Sequence, residues 1–291
     1  MSRNNLVIGA SGQVGEHCVA ALRAADRPVQ GTYRQHPREG MIALDTTDVQ
    51  QFDHVLEQTE PGVMYLMAAT ANVDYCEEQP EIAYRTNVNG TKNAVDLANR
   101  HGCKLIYFST EYVFDGVAGP YPETAPAHPI CEYGRQKLAA EHYIALFAEN
   151  WLIVRTTVVY SWESQGKNFL YRLRNTLREG KTLTVPSDQV SSPTYAPDLV
   201  QAVIQLAEQD ERGVFHVCGS QVADRYEFAL AAAAAFGLDA SLIVPVLTAD
   251  LKQVAPRPLK AGMLVDKVEQ ALGRRMIGFE EGLREMALNS P

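Results

Sequence analysis

Three glycines directly after the first apolar segment constrain the fold of this chain more than any other feature. A short apolar run at residues 6–9 leads into a G-x-x-G-x-x-G motif, and helix-forming sequence follows. The motif consists of Gly9, Ala10, Ser11, Gly12, Gln13, Val14 and Gly15. A strand, a glycine-rich turn and a helix in this order are typical of the first unit of a doubly wound parallel sheet.

The rest of the first half alternates short apolar runs with amphipathic segments, which predicts a parallel sheet covered by helices. The predicted strands lie at residues 6–9, 29–33, 41–44, 63–67, 104–109 and 152–155, and two clear helices at residues 81–101 and 132–149. The pattern after residue 155 is less regular. There we predict strands at residues 183–185 and 214–217 and helices at residues 168–178, 196–209 and 226–236.

These patterns predict an α/β fold of the Rossmann type with a smaller C-terminal lobe. We expect residues 1–155 to form an NAD(P)-binding domain, to which segments near residues 190–220 return. Residues 156–291 are expected to form mainly a substrate-binding lobe.

Composition and charge narrow the class of partner. The net charge of -9 at pH 7 argues against a nucleic-acid partner, because such proteins need a basic surface to displace counterions. Five cysteines without a repeated short spacing favour neither a metal site nor a disulfide framework. The first strand begins too early for a signal peptide, and no later segment is apolar enough to span a membrane. We therefore expect a cytoplasmic protein with no metal and no membrane partner.

The glycine motif predicts a dinucleotide site. Gly9, Gly12 and Gly15 allow backbone N–H groups to approach a pyrophosphate at the positive end of the following helix, so the whole loop, including Ser11, is a candidate cofactor contact. A plain tight turn is the alternative. The loop follows the first strand, the position at which open parallel sheets bind ligands, and this placement favours the cofactor site.

The end of the second predicted strand favours NADP as the cofactor, with NAD as the alternative. NAD-preferring proteins place an acidic residue there, whereas this stretch contains no acid and ends in Arg34. A guanidinium at that position can accommodate a 2′-phosphate, although Arg34 can also be an ordinary surface residue. Asp45, just after the third strand, is either a contact to the adenine or a helix cap.

Tyr133 and Lys137 lie four residues apart at the start of a predicted helix and therefore on one face. A lysine one turn away and the positive charge of an oxidised nicotinamide nearby are together expected to lower the pKa of the tyrosine enough for proton transfer near neutral pH. The strand at residues 104–109 leads into Thr110, whose hydroxyl is suited to bind a substrate carbonyl while Tyr133 delivers a proton. A surface aromatic beside a charge is the alternative interpretation.

Several motifs of the chain together resemble the extended short-chain dehydrogenase/reductases, and more narrowly the dTDP-4-dehydrorhamnose reductase family. That family also includes the regulatory β subunit of methionine adenosyltransferase. The motifs are the glycine loop, FSTEYVFDG at residues 108–116, YGRQKLAAE at residues 133–141, DQVSSPTYA at residues 188–196 and RPLK at residues 257–260. The resemblance implies that Thr110, Tyr133 and Lys137 form the catalytic triad, that Asn87 supports it, and that Ala68 and Ala69 line the cofactor site; Tyr133 and Lys137 also contact the cofactor.

The chain departs from this family at positions that face the sugar. Val158 stands where the family's reductases have a tryptophan, Lys260 replaces an asparagine, and Glu111 replaces an aspartate after the threonine. Trp162 is a candidate replacement for the missing aromatic platform, or it seals the junction between the lobes. Together with Arg257, these residues form the candidate substrate contacts.

The family's metal-linked dimer is not expected in this chain. The acidic residues that serve that dimer in some members are replaced by His17 and Pro197. The sequence leaves open whether the chain forms a homodimer.

The patterns and the resemblance predict an NADPH-dependent reductase of a nucleotide-linked 4-keto-6-deoxy sugar. The nicotinamide would give the hydride and Tyr133 the proton. Two alternatives remain: a cofactor-binding regulatory subunit similar to the β subunit of methionine adenosyltransferase, and an extended-type reductase or epimerase for another carbonyl substrate.

Overall fold

The structure is a computed structural model, and it describes residues 4–289. The described strands are β1 Asn4–Ile8, β2 Val29–Tyr33, β3 Ile42–Ala43, β4 Pro61–Leu66, β5 Lys104–Thr110, β6 Trp151–Thr156, β7 Val159–Tyr160, β8 Leu183–Pro186, β9 Val190–Ser191, β10 Thr194–Tyr195, β11 Gly213–His216, β12 Ala223–Asp224 and β13 Ile243–Val246. The α-helices are α1 Gln13–Ala24, α2 Val49–Thr59, α3 Val73–Glu78, α4 Pro80–Tyr84, α5 Gly90–His101, α6 Glu132–Phe147, α7 Phe169–Arg178, α8 Ala196–Glu208, α9 Arg225–Ala235, α10 Asp266–Leu272 and α11 Phe279–Leu288.

Seven strands form one parallel sheet in the order β11-β6-β5-β4-β1-β2-β3. The chain order reverses between β1 and β4, so the two halves of the sheet diverge there and leave a crevice at the carboxyl ends of the strands. This arrangement confirms the predicted doubly wound α/β fold. The six strands predicted in the first half each form within two residues of their predicted ends.

Helices cover both faces of the sheet, which explains why its central strands are apolar throughout. All seven residues of β5 are buried. One core lies between the sheet and helices α1 and α8, and a second lies under α2, α5 and α6. A third core joins α7, α9 and α11 away from the sheet.

The predicted helix at residues 81–101 is divided in the structure. It consists of α4, a π-helical turn at Arg85–Asn89, and α5. Asn87 lies in the π turn, where its side chain bonds to Thr70 and to Gln136 of α6. The turn accommodates these tertiary contacts, which the sequence pattern of the helix itself does not reveal.

The second half also differs from the simple prediction. Residues 213–216 complete the large sheet as β11, but β8 pairs with β13 in a separate two-stranded sheet. Helices α10 and α11 were not predicted. The division of the chain into two domains at residue 155 stays a prediction.

Candidate active site

A cleft of about 760 Å³ lies at the carboxyl ends of β1 and β4, where the strand order reverses. Six of the residues predicted to contact a cofactor line it: Gly9, Ser11, Gly12, Arg34, Ala68 and Ala69. The sequence did not single out several others in its wall, among them Thr46, Thr70, Tyr75, Thr86, Gln165 and Lys167.

The glycine loop brings backbone close to backbone at the base of this cleft. Gly9 adopts φ +87°, and a Cβ there would lie 3.0 Å from the backbone nitrogen of Ala68. A Cβ at Gly15 would overlap the carbonyl oxygen of Gly9, so only glycine permits this approach of α1 to the loop. Helix α1 begins without a side-chain cap at Gly12, so its first N–H groups face the cleft with no side-chain acceptor.

The remaining loop residues have structural contacts. Gln13 donates a hydrogen bond to Ser161 at 2.9 Å, and Val14 packs against the core between the sheet and α8. Neither is among the residues that line the cleft. Their predicted cofactor contacts therefore stay predictions.

Arg34 and Asp45 lie at the adenine side expected for a dinucleotide. Arg34 lines the cleft and donates to the Thr86 hydroxyl at 3.1 Å. Asp45 lies outside the lining residues, and its carboxylate accepts from the N–H and hydroxyl of Thr47. Burial opposes ionisation of Asp45, but the Thr47 bonds and the charge of Arg34 lower its pKa overall. Asp48, rather than Asp45, caps α2.

The structure brings Thr110, Tyr133 and Lys137 together at the carboxyl end of β5. Thr110 ends that strand, its hydroxyl accepts from the Tyr112 N–H at 3.2 Å, and it lies close enough to the Tyr133 hydroxyl to affect the pKa of that phenol. Helix α6 lies so close to the loop after β5 that a Cβ at Gly134 would overlap the Tyr112 carbonyl oxygen. The packing of α6 on this loop therefore requires glycine directly after Tyr133.

Burial dominates the ionisation of both helical residues. It raises the pKa of Tyr133, reinforced by the nearby Cys76 and Glu111, while the Thr110 hydrogen bond opposes the rise. Burial lowers the pKa of Lys137 to about 7, against the opposing charge of Glu141. The expected lowering of the Tyr133 pKa, which included the charge of an oxidised nicotinamide as well as that of Lys137, is not found for the chain alone, where desolvation of the phenolate raises the pKa. A Tyr133 that keeps its proton at neutral pH is in the state required of a proton donor.

Lys137 is held by the strand beside it and by a charged network beneath it. Its Nζ donates to the Phe108 carbonyl oxygen at 2.7 Å and lies 4.1 Å from the centre of the Tyr107 ring. One turn further along α6, the buried carboxylate of Glu141 accepts from Arg155 at 2.6 Å and from the Ser109 hydroxyl. The sequence analysis missed Glu141, although its spacing of four residues from Lys137 was the available signal.

Asn87 connects the cleft wall to α6, and the supporting role that the resemblance implies for it stays a prediction. Its side chain accepts from the Thr70 N–H at 2.8 Å and donates to the Thr70 carbonyl at 3.1 Å. It also donates to Gln136, which lies beside Lys137 in the sequence, at 2.9 Å. Thr70 lines the cleft, so Asn87 fixes the cleft wall relative to the catalytic helix.

Glu111 and Val158 show unusual local structure next to the catalytic residues. Glu111 is buried, its Oε2 has no hydrogen-bond partner, and burial raises its pKa well above the usual range, with the charge of Arg225 opposing. Val158 adopts φ +37°, in the left-handed region that β-branched residues avoid. Strained backbone of this kind is concentrated at functional sites.

The other three candidate substrate residues have separate surroundings. Trp162 donates from Nε1 to the Met286 carbonyl at 2.7 Å and packs against Tyr171 and Phe236, which ties it to the core of α7, α9 and α11. Arg257 pairs with Asp74 at 2.8 Å. Lys260 is exposed, and its backbone N–H donates to the Gly116 carbonyl.

Among residues 4–289, no group of three or more His, Cys, Asp or Glu side chains is arranged to hold a metal ion. Within that same range, none of the helices has both the length and the apolar character needed to cross a membrane.

Comparison with known proteins shows the class to which this fold and site belong. A dTDP-4-dehydrorhamnose reductase from Aggregatibacter actinomycetemcomitans is 29% identical over 97% of both chains. Methionine adenosyltransferase 2 subunit beta from Xenopus laevis is 30% identical over 98% of this chain and 87% of its own length. A crystal structure of dTDP-4-dehydrorhamnose reductase from Bacillus anthracis in complex with NADP superposes with a TM-score of 0.92 at 27% identity, and the match covers all of both chains.

The fold, the cleft and these relatives define an NAD(P)-dependent oxidoreductase of the extended short-chain dehydrogenase/reductase type. The family described as the RmlD substrate binding domain matches residues 3–290. The chain belongs to this family, that of the dTDP-4-dehydrorhamnose reductases. The sequence-based predictions of the family, the fold class, an oxidoreductase and a nicotinamide dinucleotide cofactor are thereby confirmed.

Proposed function

We propose that the protein is an NADPH-dependent reductase of a 4-keto-6-deoxy sugar carried on a nucleotide. The observation that carries this proposal is the complete Thr110, Tyr133 and Lys137 set at the end of β5, the strand next to β4, after which Ala68 and Ala69 line the cleft. The reductases among its relatives, which include one of 32% identity from Mycobacterium tuberculosis, support the nucleotide-sugar class of substrate.

The cleft fits a dinucleotide phosphate. The uncapped N-terminus of α1 offers N–H groups to a pyrophosphate, and the close approach of Gly9 to Ala68 leaves room for it. Arg34 faces the same cleft, and the second strand supplies no carboxylate that would repel a 2′-phosphate. When bound, the nicotinamide supplies the hydride.

The residues of the chain supply the proton and the charge balance. The Thr110 hydroxyl lies near the Tyr133 phenol, so both can reach one carbonyl oxygen of a substrate. Tyr133 gives its proton to that oxygen as the alcohol forms. The ammonium of Lys137, one helical turn away, stabilises the tyrosinate that remains.

A panel of nucleotide-linked keto sugars tests the proposal. Consumption of NADPH by the wild-type protein should require one of these sugars, and Tyr133→Phe should lower the rate by about 10²- to 10⁴-fold, the usual contribution of a positioned proton donor. Tyr143→Phe is the matched control, because Tyr143 lies on the same helix and its hydroxyl donates to Asp96 at the surface. Absence of turnover with every sugar, or equal turnover by Tyr133→Phe, would contradict the proposal.

A second candidate is a cofactor-binding regulatory subunit, which the 30% identity to a methionine adenosyltransferase subunit favours. Such a protein would bind a partner enzyme in stoichiometric amount and change the kinetics of that enzyme. Its Tyr133→Phe variant would do the same. The intact catalytic set favours the reductase. Turnover of another carbonyl compound in the same panel would indicate a different extended-type reductase.

A further inference from the structure

Two arginines and a phenylalanine form a cationic cluster at the starts of α7 and α9. Phe169 begins α7, directly after the segment in which Gln165 and Lys167 line the cofactor cleft. The guanidinium carbon of Arg172, one turn into α7, lies 5.6 Å from the centre of the Phe169 ring. That of Arg225, the first residue of α9, lies 5.1 Å from the same ring.

Neither guanidinium has an anionic partner. Within residues 4–289, no ion pair or side-chain hydrogen bond involves Arg172 or Arg225, whereas Arg155 and Arg257 are each paired with a carboxylate. Burial lowers the pKa of Arg225, and the like charges of Arg172 and Arg257 lower it further. Two cations that share one ring repel each other, and stacking on an aromatic ring offsets only about 0.5–1 kcal/mol.

The nearby acid does not neutralise this cluster. Glu111 lies within electrostatic reach of Arg225, but no ion pair joins them. Burial raises the pKa of Glu111 well above its usual range, so its carboxyl favours the neutral form. The positive charge is therefore left for a ligand.

Arg225 of this cluster lies within electrostatic reach of the residues that follow Thr110. Arg225 interacts electrostatically with Glu111 and Tyr112, the two residues that follow Thr110. The ring of Tyr112 packs edge to face against Tyr133, with 5.7 Å between the ring centres. An anion held by Arg225 would thus lie a short distance from a sugar that contacts Tyr133.

We propose that Arg172 and Arg225 form an anion subsite that holds the diphosphate of the nucleotide-linked substrate. The planar fork of a guanidinium matches two phosphate oxygens at once, and two such groups suit a diphosphate. The proposal rests on the proposed function only for the nucleotide that carries the diphosphate. The assignment of an anion to Arg172 and Arg225 rests instead on their shared contact with Phe169 and on their lack of ion pairs within residues 4–289.

Equilibrium binding of thymidine diphosphate to the full chain with saturating NADP tests the subsite without turnover. Arg225→Gln should weaken binding about 10- to 100-fold, as expected for loss of a charged hydrogen bond. Arg172→Gln should weaken it as well, and because Arg172 is exposed this variant keeps the fold even if Arg225→Gln does not. Arg178→Gln, which removes an exposed arginine from the same helix, is the control and should bind as the wild type does.

Inorganic pyrophosphate separates this proposal from the proposed function. The wild-type protein should bind pyrophosphate in a calorimeter, and both arginine variants should bind it more weakly. Pyrophosphate binding that depends on these arginines, in a protein that reduces no sugar, would support the subsite and refute the reductase. Wild-type affinity for both ligands in Arg172→Gln and in folded Arg225→Gln, or no pyrophosphate binding by the wild type, would overturn the subsite.

Discussion

At the residue scale, the ionisation of Tyr133 and Lys137 depends on burial more than on their mutual spacing. Burial raises the pKa of Tyr133, which keeps the phenol protonated, as the proposed donation to a carbonyl oxygen requires. Lys137 is affected in the opposite direction and has a pKa of about 7. The lysine therefore changes charge within the range in which the protein is expected to work.

The lowered pKa of Lys137 predicts how reduction depends on pH. As pH rises through about 7, Lys137 loses its proton and with it the charge that stabilises the tyrosinate at Tyr133. The rate of reduction should fall above that pH, approaching about tenfold per unit. A profile of kcat against pH checks this, and a rate that stays constant or rises there would show that the charge of Lys137 is not needed.

The position of Arg34 predicts that the protein prefers NADP to NAD. Because Arg34 is the cation at the end of β2 in the cleft wall, Arg34→Ala should raise the Kd for NADP about 10- to 100-fold and leave that for NAD nearly unchanged. Arg23→Ala, at an exposed position in the last turn of α1, is the control. Equal losses for NADP and NAD would assign Arg34 a general rather than a phosphate-specific role.

At the element scale, a buried ion pair connects β5, α6 and β6 beneath the catalytic residues. Register places Ser109 beside Arg155 on adjacent strands, and Glu141 from α6 binds both. Glu141 also raises the pKa of Lys137 against the effect of burial. The strands and the helix that carry Thr110 and Tyr133 are thus held in one arrangement by a single carboxylate.

Removing that carboxylate should destabilise the fold strongly. Glu141→Gln leaves the buried guanidinium of Arg155 without its counter-charge, which should cost about 3–5 kcal/mol in the free energy of unfolding. Glu149→Gln, at an exposed position after the same helix, should change it by less than about 0.5 kcal/mol. Denaturant unfolding of both variants measures the difference. Equal stability of the two would mean that the network contributes no net stabilisation.

At the scale of the whole molecule, the segment at residues 161–168 joins the glycine loop to the helices of the C-terminal half. Gln165 donates to the Ser11 carbonyl at 2.7 Å, and the His17 ring donates from Nε2 to the Trp162 carbonyl at 3.1 Å. Gln165 and Lys167 line the cleft. A ligand in the cleft therefore contacts both parts of the molecule.

This arrangement predicts that NADP orders the joining segment. Hydrogen exchange of the backbone amides at residues 161–168 should slow when NADP binds, because the ligand covers a segment already bonded to the glycine loop. At 100 times Kd, NADP should also add about 2.7 kcal/mol to the free energy of unfolding. Unchanged exchange in this segment, with slower exchange confined to the glycine loop, would contradict the prediction.

The sequence was sufficient to predict the strands of the large sheet, but it was insufficient to predict the ionisation and clustering of the charged and titratable side chains. The strands at residues 29–33 and 104–109 were predictable because apolar runs and turns are local signals. The π turn at Asn87 was not, since its contacts with Thr70 and Gln136 come from other elements. The direction of the Tyr133 pKa and the cluster of Arg172 with Arg225 depend on burial and on helices α7 and α9 meeting in space. Whether the chain forms a homodimer stays open, and the cytoplasmic location stays a prediction.

Transfer of deuterium from NADPH labelled at its hydride-donating position tests the central claim most directly. With a nucleotide-linked 4-keto-6-deoxy sugar, mass spectrometry of the product should show one deuterium on the former carbonyl carbon in the wild type and about 10²- to 10⁴-fold slower labelling with Tyr133→Phe. Product that carries no deuterium, or labelling at the wild-type rate by Tyr133→Phe, would contradict the account.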